Sequence, residues 1–228
     1  MIKKLIILLV AFNLLTAGCK QCNLVKTTNF ELQPGDLLFQ DLDGGPLCDA
    51  IEKVTTGYDG ADLSHVGIAA KNAAGSIIVI EAVSDGVRTT GLQTFLNRSS
   101  DANGRPKVIV GRLKEPYHKL IPAALKEATA LTGKPYDKVF DVNNDAYYCS
   151  ELIYEIFRRA GSKPLFALQP MTFKDPDTGQ TLPVWEKYFS KLGVSVPEGK
   201  AGINPGSISR SEALTIIYAY GEPSRKPR

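Results

Sequence analysis

The sequence predicts an α+β domain in which strands come first along the chain and helices follow. Two observations carry this prediction. β-rich apolar runs occur in the first half, at 37–39, 64–70, 76–83, 86–90 and 108–113. The second half changes to helical spacing of apolar residues, most clearly over 120–131 and 150–160. We therefore expect an antiparallel sheet with the helices packed against it.

The remaining elements follow from turns and local periodicity. A helix is predicted over 47–54, and the polar segment 71–75 connects two strands as a hairpin. Residues 184–192 and 211–220 are shorter helix candidates. Trp185, with Tyr188 and Phe189 at helical spacing, is predicted to belong to the core.

The N-terminus has the pattern of a bacterial export signal. Lys3 and Lys4 precede an apolar run over 5–15, which is shorter than the roughly 20 residues of a membrane-spanning helix. Small residues then lead directly to Cys19, and this ending resembles the lipobox of bacterial lipoproteins, whose cysteine is acylated. The alternative is a plain secretory signal with an incidental cysteine. No acidic residue follows Cys19 directly, which favours the outer membrane of the cell envelope.

We therefore divide the chain into a signal peptide (1–18), a tether (19–33), one domain (34–222) and a tail (223–228). The expected membrane attachment is through acylated Cys19, with more than one acyl chain for stable anchoring. The net charge is only +3 at pH 7, and two of the lysines belong to the signal. No basic cluster stands out except the tail, so nucleic acid is not an expected partner.

The cysteine count points to a reactive thiol. Of four cysteines, acylation of Cys19 leaves three, Cys22, Cys48 and Cys149, which is an odd number for an exported protein. Whether Cys22 and Cys48 form a disulfide stays open, because it depends on the distance between them. Cys19 and Cys22 have CxxC spacing without a second ligand pair, so neither a metal site nor a cofactor is expected.

His65 and Glu81 are predicted to face each other. Glu81 lies in an otherwise apolar strand, where a carboxylate is costly unless it is paired. If the hairpin is centred on Ala73, the residue opposite position i is 146 − i, which places Glu81 across from His65. A carboxylate there can orient an imidazole that acts as a general base. The alternatives are a structural ion pair or a misread hairpin, since a slip of one residue breaks the pairing.

Cys149 lies where a loop leads into the amphipathic helix over 150–160. The positive end of the helix dipole favours a thiolate, and the free N–H groups can form an oxyanion hole. A cysteine there would by itself more often be a packing residue. Together with His65 and Glu81, it indicates a Cys/His/acid nucleophilic site.

The neighbours of these residues receive less specific predictions. Tyr148 and Ser64 are candidates for the cleft or for the oxyanion site. Ser150 and Glu151 are expected to serve the start of the helix. His118 is expected at the surface. Residues 165–203 carry no motif and are expected to shape the substrate cleft.

Several short motifs follow one another along the chain: Gly35-Asp36-Leu37-Leu38-Phe39, Ser64-His65-Val66-Gly67-Ile68, Glu81-Ala82 with Gly86-Val87, Gly133-Lys134-Pro135-Tyr136-Asp137 and Tyr148-Cys149-Ser150-Glu151-Leu152-Ile153. Together they resemble the permuted NlpC-type papain-like hydrolases, in the YiiX/YaeF-like branch. The histidine and the acid precede the cysteine, which fits circular permutation. The resemblance implies a papain-like α+β fold, an antiparallel sheet or barrel with the nucleophile helix packed against it. It also implies Cys149 as nucleophile, His65 as base and Glu81 as the orienting residue.

Three functions are compatible with these observations. The leading one is a lipid-anchored cysteine peptidase or amidase that cleaves an amide bond of cell-wall peptide. The second is a hydrolase or acyltransferase acting on acyl lipids or N-acyl amides, and the third is a non-catalytic binding protein of the envelope. An open groove with acidic and polar subsites would favour the peptide, whereas a closed apolar pocket would favour an acyl chain.

Overall fold

Six antiparallel strands form one sheet in the structure, a computed structural model that describes residues 30–225. The strands of the chain are β1 Leu37–Gln40, β2 His65–Lys71, β3 Ile77–Val83, β4 Gly86–Gly91, β5 Val108–Leu113, β6 Gln169–Pro170, β7 Ala201–Gly202 and β8 Leu214–Ala219. The order across the sheet is β4-β3-β2-β1-β5-β8, while β6 and β7 pair separately. The six-stranded sheet is open, with β4 and β8 at its edges, so the core is a sheet rather than a barrel.

Helices accompany the sheet, as the α+β prediction requires. They are α1 Pro46–Val54, α2 Leu92–Leu96, α3 Ile121–Ala130, α4 Cys149–Ala160, α5 Pro183–Lys191 and α6 Pro205–Ser209, with 3₁₀ turns at Tyr58–Gly60 and Glu115–Leu120. Helix α4 packs against β2, β3 and α3. Its apolar face is fully buried and consists of Leu152, Ile153, Ile156 and Phe157. Burial of each such side chain contributes about 1.5–3 kcal/mol, so this face firmly positions the start of α4.

The two central strands are buried on both faces. Every residue of β1 is buried, and in β2 only Lys71 is exposed. A polar side chain in these strands is therefore removed from water and needs a partner inside the protein. A second apolar cluster lies at α5, where Trp185 and Phe189 are buried as predicted.

The helix predicted over 211–220 is wrong, because Leu214–Ala219 form strand β8. Thr215, Ile216 and Ile217 are β-branched, which favours a strand. Burial alternates along β8, and the strand pairs antiparallel with β5 at the edge of the sheet. The periodicity of so short a segment does not distinguish a helix from a strand. The segment forms a strand because it pairs with the edge of β5.

Residues assigned to the tether and to the tail make contacts with the domain. Leu32 is buried. At the other end, the N–H of Ser224 donates to Oδ2 of Asp41 at 2.7 Å, and Arg225 forms an ion pair with Asp59 at 3.1 Å. The first residues of the predicted tail are therefore bound to the domain by a hydrogen bond and an ion pair.

The predictions for the N-terminus fall outside the described residues. They include the signal peptide (1–18), acylation of Cys19 and pairing of Cys22. Among the described residues, 31–225 belong to one compact unit. Within residues 30–225, no helix has the length and apolar character needed to cross a membrane.

Candidate active site

Cys149 is the first residue of α4. The N–H of Tyr148 donates to Oε2 of Glu151 at 3.2 Å, which confirms that Glu151 serves the start of the helix. Cys149 is 8% exposed, and its Sγ lies 4.0 Å from the carbonyl oxygen of Ser64. The first N–H groups of a helix have no acceptor within it, so the thiol lies at the positive end of α4.

The predicted contact between His65 and Glu81 is confirmed, since Nε2 of His65 lies 2.6 Å from Oε2 of Glu81. The register that predicted it is wrong by two residues. Ile68 pairs with Ile80, so position i lies opposite 148 − i, and Glu81 is opposite Gly67. A shift of two keeps every side chain on its predicted face. The imidazole and the carboxylate therefore meet diagonally rather than directly across the strands.

The hairpin turn explains the shifted register. Oδ1 of Asn72 accepts hydrogen bonds from the N–H groups of Ala74 and Ser76, both at 3.0 Å. Gly75 has φ 78°, a left-handed conformation that glycine adopts without strain. The turn is therefore centred on Ala74 instead of Ala73.

Gly67 leaves the space in which the diagonal contact forms. A Cβ atom at this position would lie 2.5 Å from Cγ1 of Val79 and 3.3 Å from Cβ of Glu81. Any larger residue would displace β3 or the carboxylate. The glycine is needed here for the close approach of the two strands.

Two residues that the sequence patterns did not reveal hold the Glu81 carboxylate. Arg98 donates to both oxygens, at 2.7 and 2.5 Å, and Thr90 donates to Oε1 at 2.5 Å. Glu81 is fully buried, which raises its pKa. The hydrogen bonds that Glu81 accepts, first from Arg98 and then from His65, outweigh burial and hold its pKa well below the usual range. Arg98 lies shortly after α2, and no local sequence motif indicates its contact with Glu81.

His65 carries a raised pKa despite its burial. Burial lowers the pKa of His65, but the interactions with Cys149 and Glu81 outweigh this and raise the pKa to about 9. Glu81 engages Nε2 of the imidazole, which leaves Nδ1 as the ring nitrogen that does not face the carboxylate. The ring centroid of Phe95 lies 5.8 Å from that of the imidazole and 5.2 Å from Cζ of Arg98. One aromatic ring therefore packs against both partners of Glu81.

Cys149 and His65 line a cavity of about 990 Å³. Its walls are mainly apolar and aromatic, with contributions from Leu47, Ile51 and Val54 of α1 and from Phe140, Phe173, Trp185 and Tyr188. The segment expected to shape the cleft, 165–203, contributes residues 169–173, Trp185, Tyr188 and 202–203. This large apolar space can accept an extended apolar group next to the thiol.

Tyr148 and Ser64 both line the cavity, and their hydroxyl oxygens accept backbone hydrogen bonds. Tyr148 accepts from the N–H of Ile203 at 3.1 Å, and Ser64 accepts from the N–H of Leu42 at 3.0 Å. Burial raises the pKa of Tyr148, which keeps the phenol protonated. Ser150 does not cap α4 as predicted: its Oγ donates to the carbonyl of Ile203 at 2.9 Å, tying the helix to the segment before α6.

The other histidine and the second described cysteine have separate surroundings. His118 does not line the cavity, and its Nε2 lies 2.6 Å from the carbonyl oxygen of Leu113. Cys48 lines the cavity without forming a disulfide with Cys149. Burial, followed by the charge of Glu52, raises the pKa of Cys48. Two free thiols therefore line the same cavity, one on α1 and one on α4.

A cysteine at a helix N-terminus, beside a buried histidine–carboxylate pair from an antiparallel sheet, is the arrangement of the papain-like cysteine hydrolases. Residues 31–218 match the permuted papain-like amidase enzymes of the YaeF/YiiX, C92 family, and the chain belongs to that family. The predicted resemblance and enzyme class are thereby confirmed. The catalytic roles of individual residues stay predictions.

Two YiiX proteins from Escherichia coli are similar to this chain, one in sequence and one in structure. The uncharacterized protein YiiX of strain K12 is 26% identical over 198 residues, which cover 85% of this chain and 91% of YiiX. A crystal structure of YiiX from strain O157:H7 has a TM-score of 0.69 at 22% identity and covers 84% of this chain and 99% of that one. At this identity the likeness shows the fold, and it supports the papain-like architecture.

The YiiX of strain O157:H7 is described as a metalloprotein. Within residues 30–225 of this chain, no group of three or more His, Cys, Asp or Glu side chains is placed to hold a metal ion. The described donor atoms therefore do not fit a metal centre, and no chemical step is assigned to one.

Proposed function

We propose that this chain is an amidase of the bacterial cell envelope in which Cys149 is the nucleophile, His65 the base and Glu81 the residue that orients His65. The observation that carries the proposal is the 2.6 Å contact between His65 and Glu81, next to a thiol at the start of α4. The intact set of three residues argues against a binding protein without activity.

The reaction follows from the positions of these groups. The Cys149 thiolate adds to the amide carbonyl, and the C–N bond breaks as protonated His65 gives its proton to the leaving amine. Water then attacks the thioester while neutral His65 takes a proton from it, and the C–S bond breaks to release the carboxylic acid and to restore the Cys149 thiolate and protonated His65. The N–H groups of the first turn of α4 would stabilise the oxyanion, with the Tyr148 hydroxyl as a further candidate donor. Glu81 keeps Nε2 occupied throughout.

The envelope location rests on the N-terminal pattern. A signal peptide that ends directly before Cys19 would deliver the protein across the inner membrane, and acylation of that cysteine would hold it at the lipid surface. Residues 19–33 would connect the anchor to the domain. The absence of an acid after Cys19 favours the outer membrane.

Two classes of amide substrate fit this location. Cell-wall peptide is the expectation from the sequence, and an N-acyl amide or acyl lipid is the alternative. The walls of the cavity favour the second, because apolar and aromatic side chains dominate and none of its described lining residues is Asp or Glu. Each CH₂ group of an acyl chain buried there contributes about 0.8 kcal/mol. An acyltransferase would use the same thioester with an acceptor other than water.

A substrate panel tests this proposal. Purified wall peptides and N-dodecanoyl amides are incubated with the protein, and the released amine and acid are quantified. We expect higher kcat/KM for the dodecanoyl amides. Cleavage of wall peptides alone would return the assignment to a peptidase, and no release above that of Cys149→Ala protein would overturn the amidase proposal.

The two described thiols are predicted to differ in alkylation. At mildly acidic pH, iodoacetamide is expected to label Cys149 ahead of Cys48, because Cys149 lies at the N-terminus of α4 whereas burial raises the pKa of Cys48. Peptide mapping by mass spectrometry measures the two rates. Equal, slow labelling of both thiols would favour a binding protein.

The raised pKa of His65 predicts where activity ends at high pH. Protonated His65 supplies the proton for the leaving amine, and with a pKa of about 9 it keeps that proton at neutral pH and loses it as the pH rises through 9. We expect kcat/KM to fall above about pH 9. Glu81→Gln removes one cause of the raised pKa of His65 and should move the fall in kcat/KM to lower pH. If kcat/KM of the unmodified protein fell instead near the usual histidine pKa of about 6.5, the proposed role of His65 would be contradicted.

A further inference from the structure

The cavity around Cys149 displays positive charge and hydrogen-bond donors. The charged residues among its described lining are His65, Lys138 and Arg210. Trp185 also lines the cavity, is 2% exposed, and has an indole N–H without a hydrogen-bond partner in the described part of the chain. Buried donors in proteins are normally satisfied. These features favour a ligand that brings acceptor oxygens.

Arg210 differs from the other arginines of residues 30–225 in having no carboxylate within ion-pair distance. The others are all paired: Arg88, Arg98, Arg105, Arg112, Arg158, Arg159 and Arg225. Its guanidinium keeps five N–H donors in a planar fork that matches a carboxylate or phosphate. Lys138 is an exposed lysine on the same cavity and offers only a point charge.

The segment that carries Arg210 is bonded to the start of the nucleophile helix. Ser150 donates to the carbonyl of Ile203, and Tyr148 accepts from the N–H of the same residue. Helix α6 begins shortly after Ile203 and ends directly before Arg210. These hydrogen bonds hold Ile203 against both sequence neighbours of Cys149, and Arg210, an exposed residue, follows at the end of α6 on the border of the same cavity.

A smaller pocket of about 290 Å³ shares Arg210 with the main cavity. Gln169 and Ile203 also border both spaces, and Ser207 and Ser211 line the smaller one. None of the α1 residues that form the apolar wall reaches this pocket. Leu165, Phe166, Ala167 and Ile208 also line the smaller pocket. An anionic group bound by Arg210 would therefore meet the polar side chains of Gln169, Ser207 and Ser211 among apolar ones, away from the α1 wall suited to an acyl chain.

We propose that Arg210 binds an anionic group, a carboxylate or a phosphate, on the amine portion of the substrate. The substrate would then be an amide with an apolar acyl group and a negatively charged amine. This inference rests on the proposed amidase function and adds the charge of its substrate. Arg210 acts in binding and takes no part in proton transfer.

Three amides with the same dodecanoyl group test the proposal. N-Dodecanoylglycine carries a carboxylate, N-dodecanoyl-aminomethylphosphonate represents a phosphate, and N-dodecanoylglycinamide is neutral. Release of dodecanoate is measured for the unmodified protein and for Arg210→Gln, Lys138→Gln and Lys126→Gln. Lys126 is an exposed residue of α3 outside the cavity and controls for the loss of one positive charge.

We expect Arg210→Gln to raise KM for at least one anionic amide by about tenfold or more, with kcat and the neutral amide little changed. The anionic amide that loses more identifies the group as carboxylate or phosphate. Equal effects on charged and neutral amides would overturn the proposal. The proposal would also be overturned if Lys138→Gln or Lys126→Gln reduced the preference for anionic over neutral amides more than Arg210→Gln does.

Binding without turnover separates this inference from the amidase assignment. Cys149→Ala protein, with and without Arg210→Gln, is titrated calorimetrically with the same three amides. A preference for an anionic amide that disappears with Arg210→Gln supports the anion site even if no hydrolysis is found. Hydrolysis without any preference for an anionic amide would support the amidase proposal and would overturn the proposed anion site.

Discussion

Cys149→Ala is expected to lower kcat for amide hydrolysis by about 10⁴-fold or more, since it removes the nucleophile on which the covalent route depends. His65→Asn should cause a loss of similar order, because the imidazole shares the same steps. The residues act as a unit, so the double variant should be little worse than either single variant. Steady-state kinetics with the best substrate of the panel measures all three.

Cys48→Ala is the matched control for this experiment. Cys48 is a second thiol on the same cavity wall, yet no acid–base pair is built around it. Its kcat should stay within a few-fold of the unmodified protein. If Cys48→Ala abolished hydrolysis and Cys149→Ala did not, the nucleophile would be Cys48 and the proposed site would be wrong.

Arg98→Met is expected to lower the free energy of unfolding by about 3–5 kcal/mol, the usual cost of removing one partner from a buried ion pair. Glu81 is fully buried, and the two oxygens of its carboxylate accept hydrogen bonds from the guanidinium. Without Arg98, the carboxylate keeps only His65 and Thr90 as donors. Denaturation by urea at pH 7 measures the loss.

Two comparisons make this prediction specific. Arg158→Met breaks an ion pair with Glu155 in which the arginine side chain is 47% exposed, and it should cost less than about 1 kcal/mol. Combining Arg98→Met with Glu81→Gln removes the buried carboxylate charge that has lost its arginine partner, and should recover part of the stability, though not the activity. A loss for Arg98→Met no larger than for Arg158→Met would show that the buried pair does not support the fold.

The same pair makes stability depend on pH in a defined direction. The pKa of Glu81 is lower in the folded protein than its ordinary value. Its ion-pair contribution is therefore present above the ordinary carboxyl pKa of about 4.3 and is lost as the pH falls through the folded value. Because Arg98 is the first cause that lowers this pKa, Arg98→Met should weaken the acid dependence.

The residues alone were enough to predict the α+β class, the helix that begins at Cys149 and the face shared by His65 and Glu81. Two-residue alternation decides which side of a strand a residue occupies, so the error of two in the register left that prediction intact. The short segment Leu214–Ala219 was misassigned, because its pairing with β5 overrides local periodicity.

The tertiary structure decided the surroundings of the site. Arg98 and Thr90 meet Glu81 only because α2 and β4 pack beside β3, and no sequence spacing predicts hydrogen bonds made through such packing. The character of the cavity is likewise a product of α1, α5 and the segment before α6 coming together. Local patterns therefore reveal chemically distinctive residues. Their hydrogen-bond partners come from segments distant in sequence, which only tertiary packing brings close to them.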